Sequence, residues 1–199
     1  MLLRDFLLRI HLCNGIGIIG KAKVYAWLKQ SEWSNTQLPP VELLANVAGI
    51  NQHNFAAFSK SYHQLLQDTR LVEKLVAGEK WLSICDPDYP VALREAFAPP
   101  LILFYRGRLP LLSMPLLGVV GARDCTNYSF EVMKKLIPGT VSNTMAIVSG
   151  LAKGVDTLAH QCAIASGGST IAVIGTGLDI EYPAANRPLQ QQIGQTQLL

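Results

Sequence analysis

From Trp81 onward, short apolar runs alternate with helical patterns, and this alternation restricts the fold more than any other feature of the chain. Five runs have the length and composition of β-strands, namely 81–85, 101–105, 116–120, 146–148 and 170–174. Helical spacing fills the intervals between the last three, at about 129–137 and 155–165. Apolar strands alternating with helices predict a Rossmann-like, mostly parallel α/β sheet with both faces covered.

The first 80 residues show only helical patterns separated by short turns. Two units follow one another, each with a glycine-containing turn between two helices, at Asn14–Gly20 and at Ala48–Ile50, and the second helix of the first unit is predicted from Lys21. Both turns resemble the helix-hairpin-helix turn, whose backbone N–H groups hold a DNA phosphate, although a plain structural turn is the simpler interpretation. We therefore predict a helical accessory domain at 1–80 and an α/β domain at 81–199.

Composition predicts a folded, intracellular protein. Of the 199 residues, 49% are apolar and 16% are charged, and no apolar run approaches the ~18 to 20 residues that span a bilayer. Charges interrupt the N-terminal segment too often for a signal peptide, so we expect a cytoplasmic location. The four cysteines form no C-x-x-C pair, which predicts reduced, mostly buried thiols. Neither a metal site nor a cofactor is predicted.

Charge gives little support by itself to nucleic-acid binding. The net charge is +3, and it comes from the first 80 residues, which hold nine Lys and Arg against six Asp and Glu. From Trp81 onward the count is eight against eight. A DNA-binding surface would therefore require a local patch of cations on one face.

Small residues follow three of the predicted strands. They form the segments Gly121–Arg123, Ser149–Gly154 and Gly175–Gly177. Ligands of open α/β sheets bind at the carboxyl ends of the strands, where small side chains let an anion approach the backbone. Arg123 and Lys153 would supply full positive charges there. The segments predict an anion-binding edge, with close structural turns as the alternative.

The same segments resemble the signature of the bacterial DNA-processing family DprA/Smf. The block from Ser149 to Asp156 with His160, the block from Gly167 to Asp179, and Tyr182-Pro183 match it nearly throughout. Val119–Arg123 is similar to the family's V-G-S-R element, with alanine in place of serine. Asp88-Tyr89-Pro90 and the segment 99–107 fit the region that precedes this element.

This resemblance implies a non-enzymatic protein that binds single-stranded DNA, protects incoming DNA during natural transformation and helps to load the recombinase RecA. It implies a homodimer whose Rossmann-like domain follows a small all-α SAM-like or helix-hairpin-helix domain. Carried over by position, the residues expected to line the DNA groove are Gly121, Arg123, Ser149, Gly150, Lys153, Gly175, Thr176 and Gly177, with Arg187 as a further phosphate contact.

Two departures from the family pattern matter. Many relatives carry a basic residue after the Tyr-Pro pair, and here that position is Ala184. The family's sheet also continues beyond Leu199, so the resemblance implies a sheet that is incomplete at the C terminus. Whether this chain dimerises, or binds DNA and RecA, is left open by the sequence.

Other classes of function remain as alternatives. A Rossmann-like nucleotide hydrolase similar to the phosphoribohydrolases would have glycine-rich strand ends, but the P-G-G-x-G-T segment of those enzymes is missing. A protein-interaction fragment could present Phe55, Phe58 and Tyr62, although residues at this spacing usually belong to a core. Asp156 and His160 share a helix face, and a structural pair is a simpler interpretation than a catalytic dyad.

Overall fold

A computed structural model describes residues 1–31 and 37–199. These residues divide into two compact units, Met1–Phe104 and Tyr105–Leu199. The sequence places the boundary earlier, between Lys80 and Trp81, and the domain division stays a prediction. No helix in the part of the chain that the structure describes is long and apolar enough to cross a membrane.

The first unit is mainly helical, as its sequence pattern predicts. Its helices are α1 (Leu3–Leu12), α2 (Ile18–Gln30), α3 (Val41–Ala48), α4 (Gln52–Gln67), α5 (Thr69–Val76) and α6 (Val91–Arg94). Gly15 and Gly49 adopt positive φ values of 74° and 70°, so both predicted turns need a glycine. Gly20 instead lies inside α2, which begins three residues earlier than predicted. A Cβ there would lie 3.1 Å from the carbonyl oxygen of Ala48, so this glycine permits close packing of α2 and α3.

The core of the first unit contains the aromatic residues of α4. Phe58 is fully buried and Tyr62 is 3% exposed, and the Tyr62 hydroxyl donates a hydrogen bond of 2.6 Å to the Pro39 carbonyl. Phe55 is half-buried. The two buried rings are therefore unavailable to a partner, which removes the surface that the interaction alternative requires.

Two predicted strands also fall largely in the first unit. They are β1 (Lys80–Ser83) and β2 (Ile102–Tyr105), and they pair with each other. Cys85 follows β1 and is exposed, as is Cys125 in the second unit, whereas Cys13 is buried. The expectation of mostly buried thiols is therefore wrong for Cys85 and Cys125, because both lie in loops rather than inside a strand or helix.

The second unit contains the predicted parallel sheet. Strands β3 (Leu116–Gly118), β4 (Ala146–Ser149) and β5 (Ser169–Ala172) pair in that order, all parallel. Helix α7 (Asn127–Ser142) connects β3 to β4, and α8 (Val155–Ala165) connects β4 to β5. The mixed α/β fold class predicted from the sequence is confirmed. Leu198 forms a further parallel bridge with Ile171 beside β5.

Both faces of the central strand β4 are covered, whereas β3 at the edge of the sheet is exposed. Ile147 of β4 packs with Ile137 of α7 and with Ala159 and Ala163 of α8. The next residue, Val148, packs instead against the cluster of Leu111, Ile171 and Leu198. Successive residues of a strand face opposite sides, so this alternation explains why the run Ala146–Val148 is apolar throughout.

Two helices of this unit differ from the sequence prediction. Helix α7 continues through Pro138 to Ser142, whereas the predicted helix stops at Ile137. Helix α9 (Arg187–Thr196) was not predicted. Its signals are Pro188 in the first turn and the spacing of the buried Leu189, Gln190 and Ile193.

Candidate nucleic-acid interface

The loops that follow β3 and β4 are packed directly against each other. Gly121 lies against Val155, and a Cβ at position 121 would come within 2.7 Å of that side chain. The Val155 N–H donates a hydrogen bond of 3.1 Å to the Ala122 carbonyl. Gly154 has a φ of 87° and lies against the carbonyl oxygens of Ala122 and Arg123. The glycines therefore fix the relative positions of these two loops.

This packing brings two predicted cations onto adjacent loops. Arg123 is exposed, and the Lys153 ammonium lies 3.1 Å from the Asp124 carboxylate. The Lys153 and Asp124 side chains are 70% and 92% exposed, so solvent screens this ion pair and it contributes less than about 1 kcal/mol. A phosphate can therefore replace Asp124 as the partner of Lys153 at little cost.

The backbone N–H groups at the N-terminus of α8 are largely occupied and are therefore poor donors for a phosphate. The Val155 N–H already has the Ala122 carbonyl as its acceptor. The Asp156 carboxylate is buried in the first turn and accepts a hydrogen bond of 3.3 Å from the Ala152 N–H. The negative charge of Asp156 already compensates the partial positive charge at the N-terminus of α8. Side chains must therefore supply most of the attraction for a phosphate.

Ser149 and Gly150 form the base of the same loop. Ser149 is 4% exposed, and its hydroxyl donates a hydrogen bond of 2.7 Å to the Val119 carbonyl. This bond joins the ends of β3 and β4. Gly150 is exposed, and a Cβ there would lie 3.0 Å from a carboxylate oxygen of Asp156. Ser149 thus has a structural partner, and its contact with DNA stays a prediction.

The third predicted segment follows β5. The Val173 N–H donates to the Ser149 carbonyl at 2.9 Å, which continues the parallel pairing to the carboxyl edge. Gly175, Thr176 and Gly177 are all exposed beyond it. Arg187 begins α9, and its Nε lies 2.8 Å from the Glu181 carboxylate. Arg187 is therefore neutralised locally, unlike Arg123.

One residue of the interface was missed by the sequence analysis. Asn186 is 6% exposed, and its amide donates hydrogen bonds of 2.8 Å to the Leu151 carbonyl and to the Thr157 hydroxyl. Leu151 itself has a φ of 57°, which is unfavourable for a side chain of its kind. Asn186 therefore holds the loop after β4 in a strained conformation. The sequence signal that could have indicated this role is the position of Asn186, a polar residue three positions after the Tyr182-Pro183 pair.

We expect Asn186→Ala to lower the free energy of unfolding by about 1 to 3 kcal/mol, because the Leu151 carbonyl and Thr157 hydroxyl lose a buried donor. Urea unfolding measures the change, and hydrogen exchange of residues 150–157 should show faster opening of the loop. Asn143 offers a matched control, since its amide also bonds a carbonyl but lies on the surface. Equal losses in the two variants would contradict the structural role of Asn186.

Asp156 and His160 do not form a catalytic dyad in this arrangement. His160 is fully buried, and its Nδ1 lies 2.6 Å from the Thr170 hydroxyl, which itself donates to the Ile147 carbonyl. Asp156 bonds the loop backbone instead. Among residues 1–31 and 37–199, no cluster of three or more His, Cys, Asp or Glu side chains could hold a metal ion. His160 thus connects α8 to the sheet, and Asp156 connects α8 to the loop after β4.

Comparison with known proteins identifies the family. The family model described as DNA recombination-mediator protein A matches residues 80–199. The chain belongs to this family. Among curated members of the DprA/Smf group, DNA processing protein DprA of Streptococcus pneumoniae is 44% identical over 158 residues, which cover 79% of this chain and 55% of that protein. Protein Smf of Synechocystis is 41% identical over 127 residues, or 62% and 32% of the two chains. The chain thus spans about half or less of these relatives.

Solved structures of DprA proteins agree with the fold. The structure of DprA from Streptococcus pneumoniae matches all of this chain and 67% of its own, with a TM-score of 0.84 and 36% identity. The structure of DprA from Helicobacter pylori matches 61% of this chain and 55% of its own, with a TM-score of 0.53 and 30% identity. The latter structure concerns that protein's binding of single-stranded DNA.

Proposed function

We propose that this chain binds single-stranded DNA at the interface formed by the loops after β3, β4 and β5, and that it catalyses no reaction. The observation that carries the proposal is the pair of exposed cations, Arg123 and Lys153, on loops whose relative position is fixed by glycines. The likeness to the Helicobacter pylori DprA, with its single-stranded DNA binding mode, supports the choice of ligand. The buried positions of Asp156 and His160 support the absence of catalysis.

The proposed interface is an anion-binding surface of modest strength. Of its three cations, Lys153 is paired with Asp124 and Arg187 is paired with Glu181, which leaves Arg123 to supply most of the attraction for a phosphate. Phosphate contacts should therefore dominate, with little dependence on base sequence and a clear weakening by salt. Small residues at the predicted DNA-lining positions would let the sugar-phosphate backbone of the DNA approach closely. These positions are Gly121, Gly150, Gly175, Thr176 and Gly177.

In the cell, the proposed role is DNA processing during natural transformation, in the cytoplasm. Protection of the incoming strand, loading of RecA and homodimerisation extend the family resemblance and are proposals for this chain. Binding of a labelled, unstructured single strand across a salt series, with the matching duplex as competitor, tests the DNA step. Salt-sensitive binding that duplex competes poorly would support the proposal, and no binding by folded protein would refute it.

Arg123→Ala should weaken binding to all single strands by a similar factor, equivalent to about 1 to 3 kcal/mol, because a charge-assisted phosphate contact is lost. Fluorescence anisotropy with oligothymidylate and oligoadenylate measures the change. Arg108→Ala is a matched control in the same unit. Arg108 is exposed and lies at the opposite end of the sheet from the candidate interface. Its backbone N–H donates to the Gln197 carbonyl, and the Gln197 side chain accepts a hydrogen bond from the Thr170 N–H near the start of β5. A loss confined to one base sequence would contradict phosphate recognition.

A further inference from the structure

The first unit has a groove that the proposed DNA interface does not use. It has a volume of about 480 Å³ and lies between one side of α2 and the segment 94–99 that follows α6. Its apolar lining comes mainly from Ile19, Ala22 and Ala26 of α2 and from Phe97 and Pro99. Two aromatic rings, those of Tyr25 and Phe97, also line the groove among these mostly aliphatic side chains.

Helix α2 is apolar on two sides, and only one of them is covered. Gly20, Val24 and Leu28 are buried against the rest of the first unit. Ile19 is 51% exposed, and Ala26 is also exposed. Phe97, on the other wall, is 92% exposed, the highest value among the large apolar side chains of the described residues. Exposed apolar patches of this kind commonly mark interaction sites, so the exposed apolar side of α2 is suited to a partner.

The charges at the groove have one sign. Lys23, Lys29 and Arg94 contribute to its lining, and none of the described residues that line it is Asp or Glu. The Arg94 guanidinium is held in place by hydrogen bonds to the Asp86 and Tyr89 carbonyls and lies 5.7 Å from the Tyr89 ring. The groove therefore combines an apolar lining with fixed positive charge, and the complementary ligand is apolar and acidic.

We propose that this groove binds a short acidic amphipathic segment of a partner protein, with apolar side chains against α2 and carboxylates beside the cations. Helices with one apolar face bind grooves of this kind through side chains one turn apart. Single-stranded DNA fits less well, because its bases need exposed aromatic platforms. Of the two rings that line the groove, Tyr25 is half-buried with the Lys29 ammonium 5.9 Å from its ring centroid, and Phe97 alone is largely exposed. The proposal concerns the first unit alone and is independent of the DNA interface in the second.

A labelled synthetic peptide of about four helical turns, with leucines on one face and glutamates on the other, is the probe for the full chain. Fluorescence anisotropy should show binding that weakens with salt, whereas the same peptide with lysines in place of the glutamates should not bind. Lys29→Glu should reduce the affinity about fivefold or more, through reversal of one charge. Phe97→Ala should reduce it similarly and leave the circular dichroism spectrum unchanged, because this ring is 92% exposed.

Lys60→Glu is the matched control, because Lys60 is also an exposed lysine of the first unit but does not line the groove. Equal binding of the acidic and basic peptides, no binding at about 1 mM, or no effect of Lys29→Glu would overturn the proposal. Sensitivity of oligothymidylate binding to Lys29→Glu, without peptide binding, would assign the groove to DNA instead. Self-association abolished by Phe97→Ala would assign it to a second copy. Arg123→Ala should leave peptide binding unchanged, which separates this test from that of the DNA interface.

Discussion

Gly154→Ala is expected to destabilise the second unit by about 2 to 4 kcal/mol and to weaken binding of single-stranded DNA. Gly154 has a φ of 87° and a ψ of −127°, a conformation that side chains strongly disfavour. A Cβ would also collide with the Ala122 carbonyl oxygen and lie 2.5 Å from that of Arg123. The loop that carries Arg123 must therefore move, which changes the position of the cation relative to Lys153.

Gly175→Ala provides the matched control for this prediction. Gly175 belongs to the same candidate interface, but a Cβ there would meet nothing within 4 Å and its φ is not positive. This variant should change the free energy of unfolding by less than about 1 kcal/mol. Urea unfolding measures both variants, and oligothymidylate binding compares Gly154→Ala with the unmodified chain. If Gly154→Ala were as stable as Gly175→Ala and bound DNA as tightly as the unmodified chain, the packing of the two loops would not determine the interface.

The sequence predicted the strands of the second unit because their chemistry is local. The run Ala146–Val148 within β4 is apolar at every position, and this pattern is visible without knowing its neighbours. The parallel direction of the strands then follows from the alternation with helices, whereas the order of the strands was not predicted. The proximity of the loops that carry Lys153 and Arg123 was predictable for a similar reason, since strand ends in such a sheet meet at one edge, and their contact with DNA stays a prediction.

The partner of each polar group could not be predicted, because it depends on the register between strands. Ser149 was selected as a small residue facing DNA, but the pairing of β3 with β4 places its hydroxyl against the Val119 carbonyl. Gly20 was assigned to a turn, whereas its real constraint is the backbone of Ala48 on another helix. Asn186 was missed because its acceptors are 35 and 29 residues away in sequence. Long-range contacts decide each of these roles.

The buried His160 should make the second unit sensitive to acid. Burial lowers the pKa of His160 to about 4, and the carboxylate of Asp156 and the backbone of Ser149 oppose this shift only in part. An unfolded histidine has a pKa near 6.5, so between these values the unfolded chain binds more protons than the folded one. Stability contributed by neutral His160 is therefore complete above about pH 6.5 and is lost as the pH falls toward 4. The expected loss is about 2 to 3 kcal/mol by pH 4.5.

Hydrogen exchange of β4 and β5 measures this loss, because both strands belong to the unit that contains His160. The measured quantity is the decrease in the free energy of opening between pH 7 and pH 4.5. This decrease should be smaller by about 2 to 3 kcal/mol in His160→Gln than in the unmodified chain. Glutamine cannot take up a proton, yet its amide can still donate to the Thr170 hydroxyl, so the variant should fold. His53→Gln is the control, since His53 is exposed on α4 and its replacement should leave the difference unchanged. Because His11 has its pKa lowered to about 4 by burial in the first unit, its titration should appear in α1 and not in these strands. Identical pH dependence of β4 and β5 in His160→Gln and in the unmodified chain would show that His160 does not cause the acid sensitivity.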